Sequence, residues 1–194
     1  MPIQTFNTFP RPIPDSGGGS NVKRIQRGEN TLTLTTTDIA ISAVDLTKSV
    51  VMVSLFSPST SPANSLVGAE ITSPTNLRLN LNTAGASPKV SWQVIEYNNV
   101  KSKQSGTTAI PSTNTNQSIS AVNLSKSILI VSFRSTSTAT SGHNNNAELT
   151  TSTNINFEIN DATPTGYWQV IESSGSEVTS SDGELDRCRQ NSSG

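Results

Sequence analysis

Apolar and polar residues alternate strictly in Asn76-Leu77-Arg78-Leu79-Asn80-Leu81-Asn82, and again in Asn154-Ile155-Asn156-Phe157-Glu158-Ile159-Asn160. A period of two sets one face of a strand on a core and the other in water. Clusters rich in Ser, Pro, Gly and Asn, such as Ser57 to Asn64 and Ser141 to Asn146, interrupt the pattern as loops. In the first half the pattern predicts strands near residues 22–27, 31–35, 38–44, 49–56, 67–72, 76–82 and 90–97, some of them merging to leave five or six. Short strands at this spacing predict a small antiparallel sandwich.

The pattern occurs twice. Val22-Lys23 recurs at Val100-Lys101, and Gln26 with Gly28 recurs as Gln104 with Gly106, an offset of 78 residues. At the same offset Ile41-Ser42-Ala43-Val44-Asp45-Leu46-Thr47-Lys48-Ser49 becomes Ile119-Ser120-Ala121-Val122-Asn123-Leu124-Ser125-Lys126-Ser127, and Ala69-Glu70-Ile71-Thr72 becomes Ala147-Glu148-Leu149-Thr150. After a two-residue deletion, Trp92-Gln93-Val94-Ile95-Glu96 returns as Trp168-Gln169-Val170-Ile171-Glu172. Two homologous modules in tandem follow, residues 22–98 and 99–175. Residues 1–21 join an apolar, Pro-rich peptide to a Gly-rich hinge and read as an anchoring arm carried by Phe6, Phe9, Pro10, Arg11 and Pro12. Residues 176–194 are polar, with almost nothing to bury, and read as a flexible tail.

One strand per module departs from alternation. Val50, Val51, Met52, Val53, Leu55 and Phe56 put apolar groups on both faces, as do Ile128, Leu129, Ile130, Val131 and Phe133. In the terminal strand Trp92 and Val94 point one way, Ile95 and Tyr97 the other. A module of this size has one interior, so a second apolar face asks for another cover. The expected cover is a subunit interface built on Val51, Val53, Leu55, Ile95, Tyr97, Leu129, Val131 and Phe133; the alternative is a thick core between the two modules of one chain.

Composition narrows the functional classes. Ser and Thr supply 56 of 194 residues and Asn another 19, against 32% hydrophobic, which disfavours helix-rich folds. With 14% charged residues and a net charge of −1, the chain lacks the basic footprint of a nucleic-acid binder. The single cysteine, Cys188, rules out an internal disulfide framework and cannot by itself hold zinc. The longest apolar-rich run, Val50 to Phe56, is too short to cross a bilayer, and Met1 to Pro10 has no signal-peptide pattern. The expectation from these residues is a soluble protein without a Sec-type signal and without membrane insertion.

Catalytic chemistry finds little to work with. Glu70/Glu148 and Glu96/Glu172 are the acids repeated in both modules, and a glycosidase needs a carboxylate pair. Their placement at or near strand ends favours hydrogen-bonded structural roles. His143 is the only histidine, and Ser65 stands at its counterpart, which disfavours a Ser-His-Asp relay. No catalytic, cofactor-binding or metal-binding residue is assigned. Asp45 and Asn123 read as turn initiators, and Trp92 and Trp168 as core. Loops that differ between modules, Ser57 to Leu66 and Arg134 to Asn146, suit hydrogen bonding to glycans and suit passive solvation equally.

The repeated motifs together, Val-Lys-x-x-Gln-x-Gly, Ile-Ser-Ala-Val-(Asp/Asn)-Leu-(Ser/Thr)-Lys-Ser, Ala-Glu-(Ile/Leu)-Thr and Trp-Gln-Val-Ile-Glu, resemble small virion proteins of tailed bacteriophages, found among tail-fibre and virion-surface genes. The resemblance spans residues 22–172. It implies an all-β chain of two tandem antiparallel sandwiches on the particle exterior, bound to other virion proteins and assembled as a homo-oligomer, with trimers favoured. It implies a non-enzymatic role in tail, fibre or baseplate attachment, extending to host-surface recognition, with no cofactor. Capsid decoration as a head fibre or cement protein is the alternative, and a lectin-like carbohydrate-binding module the alternative of another class. The second module departs from the pattern at Lys103, Ser105 and Pro111, which puts its first strand in doubt and marks it as a candidate edge.

Overall fold

A computed structural model describes residues 21–138, 145–159 and 164–175. The first module contains β1 (Val22–Thr31), β2 (Thr36–Ala40), β3 (Ser49–Phe56), β4 (Val67–Ser73), β5 (Asn76–Leu81) and β6 (Lys89–Tyr97). The second repeats them as β7 (Val100–Ala109), β8 (Asn114–Ser118), β9 (Ser127–Arg134), β10 (Asn145–Thr151), β11 (Asn154–Ile159) and β12 (Thr165–Ser173). Single-turn 3-10 helices occupy Pro62–Asn64 and Leu124–Lys126. Among the described residues all pairing is antiparallel, in four three-stranded sheets. Sheets β1-β6-β3 and β2-β5-β4 form the first sandwich, and β7-β12-β9 and β8-β11-β10 the second. Even the register repeats, Gly28 pairing with Trp92 as Gly106 pairs with Trp168.

Alternation explains each interior. Leu77, Leu79 and Leu81 of β5 are fully buried with Val51, Val90, Trp92 and Val94, while Arg78 of the same strand reaches solvent. The second core holds Ile155, Phe157, Ile159, Trp168 and Val170, with Phe133 meeting Phe157 edge-on at 6.4 Å. Both tryptophans are core residues with their indole N–H bonded, to Asn30 Oδ1 at 2.8 Å and to Thr108 Oγ1 at 3.0 Å. The glycine of each Gln-x-Gly motif lies under an indole: a Cβ on Gly28 would sit 2.4 Å from Trp92, and one on Gly106 2.8 Å from Trp168. A side chain at either place would displace the ring.

The strand at the start of the second module is continuous, an edge of its sheet as β1 is of the first, and Pro111 falls between β7 and β8. Sequence segments 22–27 and 31–35 do not form separate strands: β1 runs to Thr31, and β2 starts at Thr36. The largest correction concerns the doubly apolar strands. Val51, Val53, Leu129, Val131 and Phe133 pack in the core of their own module, so their burial requires no second subunit. Leu55 shares their parity on β3, near its exposed end. The other face of β3 carries Val50 and Met52, one wholly buried outside the core and the other 46% exposed.

Candidate functional site: side-chain clamps and the seam between modules

Each module closes one end of its sandwich around a buried carboxylate. Glu96, 2% exposed, accepts from Lys23 Nζ at 2.7 Å and Arg24 at 3.0 Å, with the Asp45 N–H at 3.5 Å; Arg24 also donates to the Ala43 carbonyl. Glu172, 1% exposed, accepts from Lys101 Nζ at 2.8 Å, Ser102 Oγ at 3.0 Å and the Asn123 N–H at 3.2 Å. The carboxylate thus joins the first strand of a module to the turn before its third. Burial pushes the Glu96 carboxyl up, but Lys23, the Asp45 N–H and Arg24 outweigh it and hold the group below its ordinary range. For Glu172 the Lys101 hydrogen bond leads, offsetting burial with help from Asn123 and Ser102, and the direction is again down.

Amide side chains form a second clamp. Gln26 donates from Nε2 to the Ser42 carbonyl at 2.9 Å and accepts the Ser42 N–H at 2.7 Å. Gln104 does the same to Ser120 at 2.9 and 2.7 Å. A glutamine used this way presents one donor and one acceptor, as an adjoining strand would. The turn before β3 is pinned by Asp45 Oδ1, which accepts from Thr47 N–H at 2.9 Å and Thr47 Oγ1 at 2.7 Å. Asn123 Oδ1 accepts from Ser125 N–H at 3.0 Å and Ser125 Oγ at 2.8 Å. Both side chains are used as acceptors, which explains why Asp and Asn interchange. Asp45→Asn is expected to leave the urea unfolding midpoint nearly unchanged, and Asp45→Ala, which removes the acceptor, to lower it.

A third amide clamp crosses between modules. Gln169 on β12, 5% exposed, donates to the Val51 carbonyl at 2.9 Å and accepts the Val51 N–H at 2.9 Å. Val51 lies on β3, an edge strand of its sheet. The Ala69 N–H on edge strand β4 donates to Ser132 Oγ of β9 at 2.9 Å, and the Ala63 N–H donates to the Ser137 carbonyl at 2.8 Å. Tyr167 covers Gly68 so closely that a Cβ there would lie 2.2 Å from the ring. The edge of the first sandwich, β3 and β4, therefore sits on the outer face of sheet β7-β12-β9. Val50, Tyr167 and Ile171 are buried and belong to neither core. They are the apolar part of this seam. Edge strands expose unpaired backbone groups, and the Gln169 amide satisfies one residue's worth of them.

At the seam, Ala69, Glu70, Lys103, Ser105, Tyr167 and Gln169 line a cleft of about 210 Å³. Burial lowers the Lys103 pKa; it also raises that of Tyr167, against the opposing pull of Arg134. Glu70 accepts from Asn80 Nδ2 at 3.0 Å, whereas Glu148 is exposed.

The candidate residues fall into distinct places. Ile95 and Tyr97 are half-buried on the outer side of sheet β1-β6-β3, and Tyr97 shares a recess at the module junction with Ile128 and Ile171. The divergent loops meet each other through Ala63 and Ser137. Phe6, Phe9, Pro10, Arg11, Pro12, His143 and Cys188 lie outside the described residues. Among the described residues no group of three His, Cys, Asp or Glu side chains could hold a metal ion, and no helix is long and apolar enough to cross a membrane. The seam role of Gln169 was missed because Gln93 and Gln169 occur in identical local sequence. Comparison with protein-family models, curated proteins and solved structures finds no match to the chain.

Proposed function

We propose that the chain is a non-enzymatic building block of the exterior of a tailed-phage particle, serving tail, fibre or baseplate attachment. What supports this most is the employment of the side chains that both modules share. The buried acids Glu96 and Glu172 clamp strand to turn, Gln26 and Gln104 hold backbone, and Trp92 and Trp168 fill cores. A duplicated set of residues committed to rigidity suits a scaffold that projects from a surface, and the resemblance of its motifs to small virion proteins supplies the location. In this reading the arm, Phe6 to Pro12, docks on another virion protein, while the sandwiches face outward.

The test uses the phage that encodes the chain. Antibody against the two modules is expected to decorate intact particles, and deletion of residues 1–20 to leave the circular dichroism spectrum unchanged while removing the label. Unlabelled wild-type particles, or full incorporation of the truncated chain, would overturn the location or the anchor respectively. Selective glycan binding by the full chain, lost on changing the 57–66 loop, would replace the building-block reading with a lectin.

A further inference from the structure

Each sandwich presents the same two docking surfaces. One is the edge formed by its third and fourth strands, and the other is the outer face of the sheet that contains its first, sixth and third strands. The seam joins the edge of the first module to the face of the second. Among the described residues, the face of the first module is covered at its Val50 end, beside the module junction, and open elsewhere: Met52 is 46% exposed, Ile25 39% and Phe56 69%.

That face carries the same two polar side chains that make the seam's contacts in its counterpart. Gln93 stands where Gln169 clamps Val51, and Ser54 where Ser132 accepts from Ala69. Both Gln93 and Ser54 are exposed; among the described residues the Gln93 side chain has one hydrogen bond, accepted from Arg27 Nε at 3.4 Å. The receiving edge of the second module is equally well preserved. Leu129 stands at the Val51 position, on edge strand β9 with the same register to β12, and Ala147 stands at the Ala69 position, on edge strand β10. Ile25 and Arg27 stand where Lys103 and Ser105 line the seam cleft, and the change at the centre of the contact is reciprocal. In the seam a bulky Tyr167 rests on Gly68; at the corresponding points the face has Ser91 and the edge has Asn146, both exposed, so the bulk has moved from the face to the edge.

We infer that the outer face of sheet β1-β6-β3 docks a second copy of this chain, on the β9–β10 edge of its second module, in the geometry of the internal seam. Gln93 clamps the Leu129 backbone of the neighbour, and Ser54 accepts from its Ala147 N–H. The contact is heterologous. It links copies head to tail, into a ring if the rotation closes and a filament if it does not. This rests on the seam alone, independently of any place in a virion.

Sedimentation of the purified full chain is expected to show association that grows with concentration, and Gln93→Ala to weaken it about ten-fold or more, as befits two lost hydrogen bonds. Gln93 is exposed, so its loss leaves the fold intact. In a Cys188→Ser background, mixing a Ser91→Cys chain with an Asn146→Cys chain under mild oxidation is expected to give a disulfide between positions 91 and 146, located by peptide mass spectrometry. A chain that stays monomeric to about 0.5 mM overturns the inference. So does an oligomer indifferent to Gln93→Ala, or one that cross-links position 91 to position 91.

Discussion

Glu96→Gln and Glu172→Gln are each expected to lower the unfolding free energy by about 2–3 kcal/mol, measured in urea at neutral pH. Each removes charge-assisted hydrogen bonds within a nearly buried site, and such bonds contribute about 1.5–3 kcal/mol. The lysine partners, Lys23 and Lys101, are more than half exposed, so they return to water, and the loss stays below that for stranding a buried cation. The same groups set the acid limb of stability. Both carboxyls titrate below their ordinary range in the folded protein. Their contribution is therefore complete above the unfolded-state value of about 4.3 and disappears as pH falls through the lower folded-state values. Wild-type stability should drop as pH falls below about 4.5, and each Gln variant should drop less. A variant whose pH profile parallels the wild type would show that the carboxylate is not the clamp.

Truncation of the seam amide comes next in size. Gln169→Ala leaves the Val51 N–H and C=O without their partner in a buried setting, and each stranded group costs about 1–3 kcal/mol. The loss of about 3 kcal/mol falls on the contact between modules, since Trp168 and Val170 still pack in their own core. Thermal unfolding should change from one transition to two, and solution scattering should report a larger radius of gyration. Gln169→Glu should behave almost as badly, because a carboxylate accepts from the Val51 N–H but has nothing to donate to its carbonyl. Under conditions that keep the chain monomeric, Gln93→Ala should shift the unfolding free energy by less than about 0.5 kcal/mol. An identical residue in an identical motif would thus differ several-fold in effect, according to what lies over it.

Much of the scaffold was legible in the alternation and the repeat. Leu77, Leu79 and Leu81 sit where a period of two puts them, and the Asp45/Asn123 exchange follows from the turn acceptor both side chains offer. The doubly apolar strands misled on one point. Val51, Val53, Leu129, Val131 and Phe133 have the parity that faces inward on β3 and β9, whereas the opposite face belongs to Val50, Met52, Ile128 and Ile130. Parity says which residues share a face; it does not say which face meets the core, and the flanking strands decide that. The seam was less legible. Its key contacts are made by backbone groups of Val51 and Ala69, and any residue but proline supplies those. Gly68 beneath Tyr167 was the available signal, a small residue opposite a large one some 100 positions away, and single-sequence patterns do not pair such positions.

Amide hydrogen exchange at Val51 tests the central claim, that two copies of one sandwich are locked edge onto face by a side chain imitating a strand. On an open sheet edge that N–H would exchange rapidly. With Gln169 in place it is expected to be protected nearly as well as amides inside the β6 ladder, and in Gln169→Ala to lose that protection while the β6 amides keep theirs. Fast exchange at Val51 in the wild-type chain, or protection that survives the loss of Gln169, would contradict it.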